Sequence, residues 1–323
     1  MSHNEVIDKV EQKRATLETQ EVLIDLVNEE NKRKPAIWIL ISLLVAATIA
    51  GLWVTYYYSV PVETQTHVYG FVQSLFTEQL LFYILVGLAA QMVDGALGMA
   101  YGATSSSLLL GLGIPPAVTS ASVHVAEVFT TGASGIAHFR FGNVNKKLFL
   151  YLLIPGMTGA IIGAYLLSEK IDGDVIKPFM SAYLMILGVI VIRKGLQKNK
   201  PKSKTKRLGP LAFFGGFMDA IGGGGWGPIV TSTLLSKGRT VHYTIGSVNA
   251  AEFFISAASS ITFLIFVGIN SWQVIIGLVI GGVIASPFAA LLVRKIKRKP
   301  LMIMVGILVI LMSLRTIIMV LWH

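Results

Sequence analysis

"DAIGGGGWGP", Asp219 to Pro228, places an aspartate and four consecutive glycines inside a stretch otherwise apolar enough to enter a membrane. A second stretch, "DGALGMAYG" at 94–102, repeats the arrangement earlier in the chain. Backbone at membrane depth needs partners for its N–H and C=O groups, so non-helical segments occur there only when surrounded by protein or a wet cavity. Glycine permits positive φ and lets a ligand approach the backbone closely. The two stretches therefore read as the tips of interrupted helices rather than as the middles of spans.

The rest of the composition supports a membrane setting. The chain has 323 residues, 54% of them hydrophobic and only 14% charged, with a mean hydropathy of +0.69, so apolar stretches dominate its architecture. Runs long enough to cross a hydrocarbon layer of roughly 30 Å stand near 36–58, 117–139, 148–167, 176–192, 241–264, 273–293 and 300–322, and two more, 79–112 and 209–236, contain the glycine clusters. The chain has no cysteine, which excludes disulfides, thiolate metal sites and cysteine nucleophiles. The net charge of +10 comes from short basic loops beside the spans, which topology explains better than nucleic-acid binding does. Residues 1–35 read as a polar cytoplasmic helix or tail with no signal peptide.

Charge also orients the chain. The basic loops "NKRK" (31–34), "RFGNVNKK" (140–147), "RKGLQKNKPKSKTKR" (193–207) and "RKIKRK" (294–299) belong in the cytoplasm. An offset of 125 residues aligns 94–170 with 219–295 without a gap, about 24 of 77 positions being identical. Under this offset cytoplasmic "FGNVNKK" pairs with charge-free "FVGINSW", and net-acidic "SEKIDGD" pairs with "RKIKRK". The repeats are thus expected to be inverted, a common construction for secondary transporters. The expected fold is an all-α polytopic membrane protein with two inverted-topology repeats, re-entrant glycine-tipped helical hairpins and about seven full crossings. The N-terminus is expected in the cytoplasm and the C-terminus outside. The expected parts are the tail 1–35, a first transmembrane helix 36–58, repeat 1 at 79–193, a basic linker 194–207 and repeat 2 at 208–322.

The tips suggest anion chemistry. A helix starting just after such a tip offers free N–H groups and the positive end of its dipole. Gly98, Tyr101, Gly102, Thr104, Ser105, Ser106 and Ser107 in one copy, and Gly223, Gly224, Gly225, Trp226, Gly227, Thr231 and Ser232 in the other, form the candidate binding set. Pro228 fits a first helical turn. Tyr101 and Trp226 either shape or gate a cavity, or plug it. Asp94 and Asp219 precede the tips and suit loop bracing by accepting backbone N–H bonds. Glu127 and Glu252 lie near mid-depth, where a carboxylate is a functional candidate; they are proton-coupling candidates or structural locks. His124 and Asn249, three residues before each glutamate, face the same way and either bind substrate or hold the glutamate. No cofactor and no metal site is read from the sequence, and no nucleic acid is an expected partner.

The paired "QMVDGALGMAYG" and "GFMDAIGGGGWGP", each followed by Ser/Thr-rich residues and then "TSASVHVAE" or "TIGSVNAAE", resemble the sulfite exporter TauE/SafE family of membrane permeases over about 79–320. The resemblance implies export of sulfite or a small organosulfur anion such as sulfoacetate across a bacterial inner membrane. Residues 1–35 depart from the usual short amino end. An intramembrane aspartyl protease is excluded because its Gly-x-Gly-Asp pattern fails at both aspartates, so no enzyme is expected. A cation transporter or channel using the carboxylates remains the alternative. The expected mechanism is alternating access, with proton coupling through Glu127 or Glu252 as an option beside uniport.

Overall fold

The computed structural model describes residues 77–197, 207–268, 271–295 and 298–322, with Pro61, Thr64, Thr66, Gly70 and Gln73. The expected tail 1–35, the first span 36–58 and most of the linker 194–207 lie outside the described residues. Leu75–His323 forms one compact unit. Among the described residues the chain is helical, with no strand.

Helix α1 (Glu78–Leu97) breaks at Gly98, and α2 (Tyr101–Gly111) begins three residues later. The helices α3 (Pro116–Arg140), α4 (Lys146–Tyr165) and α5 (Gly173–Leu196) follow, α4 continuing as a π-helical turn, Leu166–Lys170. Helix α6 (Leu208–Gly222) breaks in its turn at Gly223. A π-helical turn, Gly227–Thr231, resumes after the tip and runs into α7 (Ser232–Ser236), with Pro228 in its first turn. Three long helices end the chain: α8 (Val241–Phe266), α9 (Trp272–Lys295) and α10 (Arg298–Leu321). The 125-residue offset carries the α1 break onto the α6 break and maps 173–196 onto 298–321.

Local chemistry sets several helix starts. The Asn145 side chain accepts the Leu148 N–H at 2.9 Å before α4, and Asp172 accepts from Asp174 and Val175 before α5, satisfying donors that a helix start leaves without partners.

Among the described residues four helical stretches are long and apolar enough to cross a membrane: Lys146–Lys170, Gly173–Leu196, Val241–Phe266 and Lys299–Leu321. Leu208–Gly222 and Trp272–Ala285 are shorter apolar helices. Helix α3 has the length, about 37 Å at 1.5 Å per residue, but buries Thr119, Ser120, Ser122, His124, Glu127 and Thr131. These polar side chains are turned inward, which lowers the mean hydropathy of the helix while keeping them away from lipid.

Large apolar side chains such as Phe139, Phe141, Ile154, Phe179 and Leu321 cover the outside, where they suit lipid. Between helices the driving force is close packing, which favours small residues at the seams. The principal pairs each join one copy to the other: α1 with α9, α6 with α4, α5 with α10, and α3 with α8. On the α4–α6 seam Gly156 meets Gly216 and Gly163 meets Phe217 and Ala220, so the helices run parallel. On the α5–α10 seam Gly188 meets Gly306 while Gly195 meets Met302, so these run antiparallel. A side chain at Gly216 would strike the Gly156 backbone.

Candidate functional site

The two breaks meet at the centre. Gly98 and Gly223 end their helices in the same left-handed conformation, φ 68° and 66°, which glycine adopts without a Cβ penalty. Gly224 lies against the Gly102–Ala103 backbone so closely that a Cβ there would overlap it. Ser106 Oγ donates to the Gly223 carbonyl across the same contact, and Ser120 Oγ donates to the Ala220 carbonyl at 2.6 Å. Carbonyls at the end of α6 thus find partners on the opposite copy.

Asp219 reaches back over its own tip, where its Oδ1 accepts the Trp226 N–H at 2.8 Å. The first donor after the second tip is therefore already taken by a carboxylate. Ala100, in the corresponding loop, holds φ 89°, an uncommon conformation for a residue with a side chain.

His124, fully buried, joins the copies. Its Nδ1 lies 2.7 Å from the Ser120 carbonyl, an acceptor only, so Nδ1 carries a proton. Its Nε2 faces Asp219 Oδ2 at 3.2 Å, and two acceptors can hydrogen-bond only through a proton held between them. One turn along, Glu127 is buried, and its Oε2 accepts from Ser256 Oγ at 3.1 Å. His124, Glu127 and Asp219 present ligating atoms that all lie within 4.8 Å of one another, a nitrogen and oxygen donor set that suits a divalent cation.

The second copy differs. Asn249 donates to Ser134 Oγ at 3.0 Å and does not meet Asp94. Glu252 is only half-buried. Trp226 is fully buried and donates through Nε1 to the Val248 carbonyl at 3.3 Å, whereas the Tyr101 hydroxyl has no hydrogen-bond partner among the described residues.

Among the described residues the buried hydroxyls of Thr104, Thr231 and Tyr183 also lack partners. Tyr183 was not singled out in the sequence; it lies against Gly225 and Gly222. Ser105 and Ser107, by contrast, donate to carbonyls of their own helix. Ser232 receives a hydrogen bond from Lys194 Nζ at 2.8 Å, and Nζ also reaches Met99 Sδ at 3.7 Å. Lys194 was hidden because its place among the basic residues of 193–207 is explained by topology alone. Arg315, deep in α10, donates to the Gly111 carbonyl at the end of α2, where a cation complements the helix dipole.

A family model and curated relatives match most of the chain. Residues 83–316 match the family model for Sulfite exporter TauE/SafE. The chain is 45% identical over 251 residues to "Probable membrane transporter protein YtnM" of Bacillus subtilis (strain 168), covering 75% of this chain and 83% of that protein. It is 28% identical to "Probable membrane transporter protein ORF9" of Sinorhizobium sp over 73% of this chain and 92% of the relative. A 93-residue stretch is 30% identical to "Sulfite exporter TauE/SafE family protein 3" of Arabidopsis thaliana, covering 29% of this chain and 20% of the plant protein. No solved structure matches.

Proposed function

This chain belongs to the sulfite exporter TauE/SafE family of membrane transporters, and from that premise we propose that it exports sulfite or a small organosulfur anion by alternating access. The observation that carries the reading is the meeting of the two glycine tips, with buried hydroxyls that lack partners among the described residues on the turns that follow them, Tyr101, Thr104 and Thr231, and on Tyr183, which lies against Gly225. A buried donor left unmade is costly, and an oxyanion supplies several acceptors at once. The apposed tips represent a closed state, in which Gly224 fills the space beside Gly102.

In this proposal each break is the tip of a re-entrant hairpin, and the chain makes seven crossings of a bacterial inner membrane, with the N-terminus cytoplasmic and the C-terminus outside. Support for inversion comes from the antiparallel packing of α5 on α10, which are repeat counterparts. Asp94 and Asp219 brace the tips. Lys194 offers a positive charge beside Ser232, on the cytoplasmic approach. The anion moves outward down an inside-negative potential, worth about 2.3 kcal/mol per charge per 100 mV. Glu252, half-buried, is the better-placed of the two glutamates to exchange a proton with a cavity.

One observation favours a second reading, a cation transporter: the convergence of His124, Glu127 and Asp219. Flux assays on proteoliposomes separate the two. Labelled sulfite efflux that sulfoacetate or thiosulfate competes for supports the anion reading; uptake of a divalent cation without sulfite flux supports the other.

A further inference from the structure

We infer that a groove between α3, α4 and α8 binds an anionic phospholipid. The groove encloses about 580 Å³ and is walled almost entirely by apolar groups, Phe139, Phe149 and Phe253 among them. Its floor is opened by Gly132 and Gly135 on α3. A Cβ at Gly132 would press on the Phe253 ring at 3.1 Å, and one at Gly135 would stand 3.5 Å from Ala250. A small hydrated anion gains nothing from such walls, while an acyl chain fits them.

The polar end of the ligand follows from the mouth. Arg140 and Lys146 line the groove where α3 ends and α4 begins, and both are exposed. No aspartate or glutamate stands in the sequence between Glu127 and Glu169, so neither the end of α3 nor the start of α4 supplies a carboxylate to neutralise them. An apolar slot ending in two cations matches an acyl chain ending in a phosphate. Basic pockets between helices on the cytoplasmic side suit anionic headgroups, and the sidedness rests on the orientation proposed above.

The internal repeat provides a control within the molecule. At the 125-residue offset Gly132 becomes Ala257 and Gly135 becomes Ser260, while Arg140 becomes Ile265 and Lys146 becomes Ser271. Both floor glycines and both mouth cations are absent together from the other copy. The positive-inside rule accounts for the cations at one copy only, but not for the two glycines that line the same groove. The groove also abuts the α3–α8 pair that carries Glu127 and Glu252, which runs antiparallel, Gly132 meeting Phe253 and Gly135 meeting Ala250.

Native mass spectrometry of the purified full chain in detergent tests this, using dioleoylphosphatidylglycerol and dioleoylphosphatidylcholine as probes. The phosphatidylglycerol should be retained about tenfold more tightly, and the Arg140→Gln/Lys146→Gln double variant should lose that preference, since each cation near a lipid surface contributes measurably to anionic-lipid binding. Gly135→Leu, which fills the floor, should weaken both lipids while circular dichroism shows an intact helical fold. Equal retention of the two lipids would overturn the proposal. So would an unchanged preference in the double variant, displacement by free glycerol phosphate as effective as by whole lipid, or a dimer that the groove variants dissociate without any change in bound lipid.

Discussion

His124 Nε2 lies 3.2 Å from Asp219 Oδ2, so a helix of the first copy is fastened to the glycine tip of the second through a buried contact, beside the Ser120–Ala220 hydrogen bond. Asp219 Oδ1 at the same time accepts the Trp226 N–H. The carboxylate therefore holds its own tip in shape with one oxygen and docks it to α3 with the other.

Breaking a buried pair from one side leaves a charge without its partner and costs about 3–5 kcal/mol. His124→Leu should accordingly lower the thermal unfolding temperature of the detergent-solubilised protein markedly. His124→Leu combined with Asp219→Asn should be less destabilised than the sum of the two single variants, as read by a double-mutant cycle.

Ala100 sits at φ 89° in the first tip, where its repeat counterpart is Gly225. Ala100→Gly should relieve that strain and raise stability by about 1 kcal/mol, measured as a shift in thermal unfolding. A decrease would mean that the alanine methyl contributes more by packing than it costs in backbone strain.

Lys194 donates to Ser232 at 2.8 Å. If it attracts the anion, Lys194→Gln should raise KM for sulfite severalfold, with kcat little changed and the pH profile of transport unaltered. Lys194→Arg should restore most of the affinity, a rescue that a purely topological lysine would not require.

Glu252 stands half-buried on α8 while Glu127 is buried and bonded to Ser256. Glu252→Gln should flatten the pH dependence of transport. A variant that keeps the wild-type profile would remove Glu252 from proton coupling and leave uniport as the mechanism.

Much of the scaffold was legible because membrane helices are written in apolar runs and the breaks in glycine. The runs at 176–192 and 300–322 became helices with bounds at 173–196 and 298–321. The sequence also placed Asp219 just before its glycine tip. It did not show that His124 would find Asp219, because those residues are 95 positions apart and nothing local specifies the pairing. Nor did it show Tyr183, whose hydroxyl reaches the second tip only because α5 packs behind it. Repeat symmetry suggested that Asn249 would behave as His124 does; instead it turns to Ser134, since an amide cannot form the charged contact that draws the histidine to a carboxylate.

The central claim is that the apposed tips carry a sulfur oxyanion, and efflux of labelled sulfite from proteoliposomes compared between the wild type and Gly224→Ala tests it most directly. A methyl at residue 224 would collide with the Gly102–Ala103 backbone and prevent the tips from closing. The account predicts protein-dependent sulfite efflux that an organosulfur anion competes for and that Gly224→Ala abolishes, with the variant still folded. Sulfite efflux at the wild-type rate through Gly224→Ala, or none above empty liposomes under either sign of imposed potential, would contradict it.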